Sequence, residues 1–421
     1  MNLIEDLRWR GLLAQSTDEA ALLEALKKPT TLYVGFDPTA PSLHAGNLVV
    51  LLVLRRFQLA GHNPIALVGG ATGLVGDPSG KNEERTLNSS EIVEGWVARI
   101  RKQVSAFLDF DAPKNPALVV NNLDWTAPLS AIEFLRDIGK HFSVNQMLSK
   151  DSVSARLEGG GISYTEFSYQ VLQSYDFLEL FRRNNCTLQV GGSDQWGNIV
   201  AGLDLIRRVE QGSGHALTVP LLMKADGTKF GKTAGGSVWL DSEMTSPYAF
   251  FQFWLNSDDK DVINFLKVFS FKSHEEIIEL EKSHSENPGL REAHRALARE
   301  LTSLVHSEET TQRVEAAARA LFGQGELAEL DEVTLASALA ELPRTTISSA
   351  EEIPTWVDLL AATGVVDSKS AARRIVKEGG AYLNNQKISG EDFRPSKSDF
   401  LCGKYAVLRK GKRDLAAVEL A

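Results

Sequence analysis

Residues 31–47 read TLYVGFDPTAPSLHAGN and run directly into LVVLLVLRRFQLA, residues 48–60. A short apolar run ends at Phe36, Asp37-Pro38-Thr39 and Pro41-Ser42 follow, and an apolar-periodic segment comes after them. That order predicts strand, tight loop and helix. His44 and Asn47 fall three residues apart at the start of the predicted helix, so both side chains share one face beside free backbone N–H groups. Such a place suits phosphate.

Outward from this stretch, strand-like runs recur at Thr31–Phe36, Ile65–Val68, Leu118–Val120, Leu188–Val190 and Leu217–Leu222, with helical segments between them. The alternation predicts an α/β fold: a Rossmann-like, mostly parallel sheet covered by helices, with ligands at the carboxyl ends of its strands. Two helices are expected before it, the second opened by Ser16-Thr17-Asp18-Glu19 at capping-box spacing. Two glycine motifs are rejected. Residues 70–76, GATGLVG, have the wrong spacing for a dinucleotide fingerprint, and Ser79-Gly80-Lys81-Asn82 lacks the first Gly and the hydroxyl of a P-loop. The loop Gly76–Lys81 with Arg85 beyond it remains a plausible site edge, offering Lys81 and Arg85 as cations for phosphate.

After Pro247 the periodicity turns helical, at Tyr248–Leu255, Val262–Phe269, Glu275–His284, Arg291–Val305 and Gln312–Leu321. Residues 323–353 carry seven acidic residues against one Arg, which predicts a linker with one helical piece near Leu335–Leu339. The expected domains are therefore 1–220 (Rossmann-like and catalytic), 221–247 (a linker with a cationic loop), 248–322 (α-helical), 323–353 (an acidic linker) and 354–421 (a small α+β module).

The 421 residues carry a net charge of −10, yet the last 68 hold 12 Lys and Arg against 8 Asp and Glu, leaving 33 against 47 elsewhere. A basic tail on an acidic body suggests a polyanion partner. The tail opens with Asp367–Lys377, read as a capped basic helix that presents Arg373, Arg374 and Lys377, followed by a turn and a short strand. This pattern resembles a small RNA-binding module shared by a ribosomal protein and several RNA-modifying enzymes. Two cysteines are too few for a disulfide framework or a cysteine zinc site. No apolar run reaches the ~18 residues of a membrane helix, and MNLIEDLRWR lacks a secretory pattern. The expected compartment is the cytoplasm, with no membrane partner and no structural metal.

The second deciding stretch is Lys229-Phe230-Gly231-Lys232-Thr233, between Ala225-Asp226-Gly227-Thr228 and Ala234-Gly235-Gly236. Two lysines three apart among glycines describe a mobile cationic loop. Two solvated surface lysines are the plainer reading, and the pairing with His44 favours function. HAGN and KFGKT resemble the paired signatures, HIGH and KMSKS, of class I aminoacyl-tRNA synthetases. Asn47 stands in place of the last His, and Phe230 and Gly231 in place of Met and Ser. Joining a carboxylate to ATP needs donors, cations and a helix N-terminus, because charge builds at the α-phosphate and on the departing pyrophosphate. His44, Asn47, Lys229, Lys232 and Thr233 are of those types.

In the helix ISYTEFSYQVLQSYDFLEL, Phe167, Val171, Tyr175 and Leu178 have core spacing, while Tyr169, Gln173 and Asp176 cluster on another side. A phenol, an amide and a carboxylate facing one way suit an amino acid bearing a hydroxyl, and Tyr33 stands near to close the pocket. Together with ALVGGATGLVGDPSGK, GKHFSVNQML, VGGSDQWGNI and KADGTKFGKT, these runs resemble the bacterial tyrosyl-tRNA synthetases over nearly the whole chain. The resemblance implies that Tyr33 and Asp176 receive the tyrosine hydroxyl and that Tyr169, Gln173 and Asp77 hold the α-amino group. It implies that Gly192, Asp194 and Gln195 serve the ribose and the substrate carboxylate, and that Gly35, Asp37, Thr39 and Lys232 help to bind ATP. It further implies Mg-ATP as substrate, a homodimer, and tRNA reaching across both subunits. A tryptophan-specific relative is the nearest rival, against which Tyr33 and Asp176 argue. A noncatalytic RNA-binding protein is the rival of another class, against which both loop lysines argue. A third reading, a nucleotidyltransferase for another small acid, leaves the basic tail without a purpose.

Overall fold

Six strands make the principal sheet: β1 (Gln15–Ser16), β2 (Thr31–Phe36), β3 (Asn63–Val68), β4 (Leu118–Asn121), β5 (Cys186–Gly192) and β6 (His215–Val219). Their order is β1-β6-β5-β2-β3-β4, parallel except where β1 meets β6. In this computed structural model the described residues are 2–79, 88–158, 161–233, 236–348, 352–411 and 414–421, without the side chains of Asp151, Ser152, Ala155, Glu158, Lys232 and Thr233. The chain leaves β2 toward β3 and β4, then returns on the other side to build β5 and β6. Between β2 and β5 the direction of winding reverses, and a crevice opens there at the carboxyl ends of the strands.

The five parallel strands appear where the apolar runs place them, within a few residues. β6 stops at Val219 rather than Leu222, because Pro220 has no N–H to continue the ladder. β1 was not expected: Ser16 pairs with Leu217 in it. Helix Glu19–Ala25 is capped instead by Asp18, whose carboxylate accepts from the Ala21 N–H. Helix Leu48–Leu59 is covered almost all round, with Leu48, Leu51, Leu52, Val53, Leu54 and Phe57 fully buried. A helix so enclosed is a fixed post for the residues that precede it.

The chain forms two compact units, Met1–Asp241 with Asp258–Ala293, and Ser242–Ser257 with His294–Ala421. The helical stretch expected at 248–322 is thus shared between them. Helix Val262–Phe269 belongs to the first unit, where its far end is bolted down: Arg10 donates to the carbonyls of Lys267, Ser270 and Lys272, and Arg56 donates to that of Ser270. Asp6 accepts from Arg10 Nε at 2.8 Å, and its carboxyl is held below the usual range. Burial opposes that shift, and the hydrogen bonds from His274 and Arg10 with the nearby guanidinium charges outweigh it.

The second unit contains helices Pro247–Leu255, Glu308–Leu321 and Glu332–Ala340 and a five-stranded sheet. The sheet order is Gln386–Lys387, Ala381–Leu383, Tyr405–Lys410, Asp414–Leu420, Arg344–Ile347. Its last member pairs in parallel and comes from residues read in sequence as a linker. Strand Ala381–Leu383 turns through Asn384 and Asn385, both at positive φ (45° and 67°), as a tight hairpin turn requires. Helix Lys369–Lys377 is capped by Ser368 and packs Ala372 and Val376 with Trp356, Leu360 and Leu408.

Candidate active site

The crevice at the switch point is a cavity of about 480 Å³. Its walls include Tyr33, Gly35, Asp37, Thr39, His44, Asn47, Asp77, Tyr169, Gln173, Asp176, Gly192, Asp194, Gln195 and Lys229, so fourteen residues picked from sequence meet in one place. Lys81 and Arg85 lie outside the described residues, as do Gly159 and Gly160 of the loop before the tyrosine-rich helix. Lys232 and Thr233 are described only in backbone, pairing with Gly236–Ser237. Arg373, Arg374 and Lys377 belong to the second unit.

The floor of the cavity is built on helix Tyr164–Asn184. Asp176 accepts from Trp125 Nε1 at 2.8 Å and from Asn122 Nδ2 at 2.9 Å. Burial nevertheless dominates and pushes its carboxyl up from the usual 3.8 to about 7. Tyr169 donates to Asp37 Oδ2 at 2.6 Å, while Asp37 Oδ1 accepts from the Thr72 hydroxyl at 2.6 Å. The Asp37 carboxylate is thereby occupied in aiming Tyr169. Space is made for it by Gly69, where a Cβ would lie 2.1 Å from Asp37 Oδ1 and 2.2 Å from Thr72 Oγ1.

A second chain of hydrogen bonds crosses the cavity wall. Gln195 Nε2 donates to Asp77 Oδ2 at 2.7 Å, and Asn198 Nδ2 donates to Gln173 Oε1 at 2.9 Å and to Gln195 Oε1 at 3.4 Å. Asp194 is raised above its usual range by burial first and by the charge of Asp77 second. Gly35 is the one position of β2 whose face stands exposed, with only Leu67 near where a Cβ would be. A ligand can therefore approach the strand closely there.

His44 and Asn47 act on each other. Residues Ala45–Asn47 form a 3₁₀ turn that runs into helix Leu48–Leu59. His44 Nδ1 accepts from the Gly46 N–H, and Asn47 Oδ1 accepts from the His44 N–H, both at 3.0 Å. In both side chains an acceptor serves the turn itself, and the other polar group is an N–H donor, Nε2–H in His44 and Nδ2–H₂ in Asn47. That equivalence explains how Asn stands where a second His is usual. The His44 segment is also laced to the end of the lysine loop: Ala45 N–H donates to Val238 O and Leu240 N–H to Leu43 O. Gly231, at φ 87°, sits so close that a Cβ there would be 3.1 Å from Gly46 N.

Five further residues escaped the sequence reading: Thr72, Asn122, Trp125, Gln189 and Asn198. Asn122 and Trp125 follow the carboxyl end of β4, the signal that found the others. Gln189 lies on β5 opposite Tyr33 on β2. Both line the cavity, both are at most 3% exposed, and Tyr33 OH and Gln189 Oε1 have no hydrogen-bond partner among the described residues. Burial raises the Tyr33 hydroxyl well above its usual value, with Asp176 adding to the effect, so it is a neutral donor.

A reversing parallel sheet, a donor-lined turn at a helix start and a lysine loop over the same crevice are the parts of a class I synthetase. The family model of class I tRNA synthetases (W and Y) matches residues 25–323, and that of the tyrosine–tRNA ligase SYY-like C-terminal domain matches residues 334–418. The tyrosine–tRNA ligase of Streptomyces avermitilis is 62% identical, covering 100% of this chain and 99% of its own length. That of Corynebacterium glutamicum is 56% identical, with both chains covered completely. Among solved structures, a C-terminally truncated mitochondrial tyrosyl-tRNA synthetase of Aspergillus nidulans is 30% identical, with a TM-score of 0.68 over 76% of this chain and 94% of its own. The chain belongs to the tyrosine–tRNA ligase family.

Proposed function

We propose that this chain activates L-tyrosine with ATP and then transfers the tyrosine to the 3′ end of its tRNA, with the cavity residues in the roles given below. ATP-dependent ligation of an amino acid to tRNA follows from membership of the family. In the first step a carboxylate oxygen of tyrosine bonds to the α-phosphorus while the bond to the bridging oxygen of pyrophosphate breaks. In the second, a terminal ribose hydroxyl of the tRNA attacks the acyl carbon, and AMP leaves.

The observation that carries the tyrosine assignment is the buried Tyr33 hydroxyl, without a hydrogen-bond partner among the described residues, which lines the cavity with Asp176. A buried donor left unpaired costs free energy that a substrate hydroxyl recovers, and phenylalanine cannot supply one. Tyr169, Gln173 and Asp77 take the ammonium group. Gly35, Thr39, Gly192, Asp194 and Gln195 border the ribose and the substrate carboxylate, and Asp37 serves by holding Tyr169. His44 and Asn47 donate to the phosphates, with Lys229, Lys232 and Thr233 stabilising the departing pyrophosphate. Mg²⁺ enters with the ATP phosphates as part of the substrate.

Arg373, Arg374 and Lys377 bind tRNA phosphates. Their partners are surface pairs, Lys377 with Glu391 at 3.0 Å, Arg373 with Glu391 at 3.7 Å and Arg374 with Glu378 at 3.8 Å, each worth ~0–1 kcal/mol and readily exchanged for phosphate. A homodimer is supported by four large apolar side chains between residues 131 and 148, Ile132, Leu135, Val144 and Leu148, that are 38–69% exposed. Sedimentation would read the dimer directly. The proposed compartment is the cytoplasm; no helix among the described residues is long and apolar enough to cross a membrane.

The decisive experiment is amino-acid-dependent exchange of labelled pyrophosphate into ATP without tRNA. Exchange with tyrosine but not with phenylalanine or tryptophan is expected. Equal exchange with phenylalanine would remove the hydroxyl-reading role from Tyr33 and Asp176, and no exchange would leave only a tRNA-binding protein.

A further inference from the structure

Residues 222–230 form a small hairpin that carries Lys229 into the cavity. Met223 bridges Lys229, Lys224 N–H donates to Thr228 O, Phe230 N–H donates to Leu222 O, and Gly227 turns the corner at φ 80°. Most of the hairpin is exposed, Lys229 included. Two attachments fasten it to helix Val262–Phe269. Phe230, 8% exposed, packs its ring against Phe265 and Phe269, with centroids 5.0 and 5.2 Å away. On the other limb, the Ala225 N–H donates to Asp261 Oδ1 at 2.8 Å.

Asp261 is unusual in how it uses its carboxylate. It occupies the N-cap position of helix Val262–Phe269, where aspartate ordinarily accepts from its own helix, yet its side chain makes no capping bond. It is 6% exposed and is committed to the loop instead. The same helix is pinned at its far end by Arg56, which projects from helix Leu48–Leu59, the helix that begins at Asn47. Helix Val262–Phe269 thus has the lysine hairpin on one end and the His44–Asn47 helix on the other.

We infer that Asp261 is a positioning residue for adenylate formation: with Phe265 and Phe269 it holds the root of the hairpin so that Lys229 stands over the cavity at a set distance from His44 and Asn47. The inference rests on the reading that the lysine loop acts in that step. Asp261 touches no substrate; it fixes the backbone from which a catalytic cation projects, and it fixes it against the same body that holds the donors.

The test compares pyrophosphate exchange by Asp261→Ala, Asp261→Asn, Ala225→Pro and Lys229→Ala, with thermal unfolding of each. Asp261→Ala is expected to lower turnover tenfold or more and leave the KM for tyrosine within threefold. Asp261→Asn, whose amide oxygen still accepts from Ala225, should recover most of the turnover. Ala225→Pro removes the same hydrogen bond from the exposed side, so it should mimic Asp261→Ala even if that variant folds poorly. Adding Asp261→Ala to Lys229→Ala should cost much less than it does in the intact loop, because both act through one lysine. Without ATP, trypsin should cut Asp261→Ala faster after Lys224 and Lys229. If Lys229→Ala slows exchange while Asp261→Ala and Ala225→Pro do not, the anchor is wrong. If Lys229→Ala itself has no effect, the reading of the loop fails first.

Discussion

The Tyr33 hydroxyl and the Gln189 side-chain carbonyl are each buried without a partner among the described residues, and such atoms cost the free protein about 1–3 kcal/mol apiece. Tyr33→Phe should therefore raise the melting temperature of the free protein while weakening tyrosine binding and narrowing the margin over phenylalanine. Calorimetry and pyrophosphate exchange would read the two halves; a variant that melts lower would mean the hydroxyl has a partner in solution. Asp176 makes a pH prediction. Its folded value of about 7 exceeds the unfolded value near 3.8, so the native chain holds a proton that the unfolded chain has lost. Stability from this carboxyl is complete below pH ~4 and is lost as pH rises to ~7, by on the order of 4 kcal/mol. The melting temperature of Asp176→Asn minus that of the unaltered chain should rise between pH 5 and pH 8; a flat difference would mean Asp176 is ionised throughout. Tyr169, Gln173 and Asp176 were legible because phenol, amide and carboxylate fall at helical spacing. Asn122 and Trp125 were not, because the carboxylate they hold lies more than 50 positions away in the chain.

Strand ends carry most of the site, and their turns leave little room. At Gly69, just past β3, an added methyl would meet Asp37 and Thr72 at 2.1 and 2.2 Å. Gly69→Ala should break the Asp37–Thr72 bond, let Tyr169 drift, and slow adenylate formation on the order of tenfold to a hundredfold, the range for losing a charged hydrogen bond. Overpacking should cost about 1–3 kcal/mol of stability. Unchanged exchange in Gly69→Ala would show that Asp37 is not what aims Tyr169. The parallel strands could be read from sequence because each holds a short apolar run, and in β2 and β3 nearly every position is buried. The two-residue β1 could not: Gln15 and Ser16 have no such pattern, and their place is set by pairing with Thr218 and Leu217, two hundred residues on. Helix Val262–Phe269 was found by its period, whereas its membership of the first unit rests on Arg10 and Arg56, which no local pattern announces.

Acidic composition made residues 323–353 look like a tether, but Arg344–Ile347 is an edge strand of the C-terminal sheet. This decides where the chain can be cut. A chain ending at Leu342 keeps helix Glu332–Ala340 packed on its neighbours and removes the sheet as a piece. It should retain pyrophosphate exchange, stay monodisperse and lose salt-dependent tRNA binding. A chain ending at Ile353 keeps the same chemistry but leaves a strand without its partner, and should aggregate on size-exclusion chromatography. Identical behaviour of the two would argue that the strand contributes nothing. The order of assembly follows from the same pairing. The strand that Arg344–Ile347 needs is Asp414–Leu420, which also lies between Arg344–Ile347 and Tyr405–Lys410. While the chain is being made, the catalytic unit can fold long before that strand leaves the ribosome. The C-terminal sheet cannot close until Asp414–Leu420 has been made. A product released before Asp414 would keep every cavity residue yet leave Arg344–Ile347 and Tyr405–Lys410 without the strand between them, two open edges where a protease or a second chain could attach.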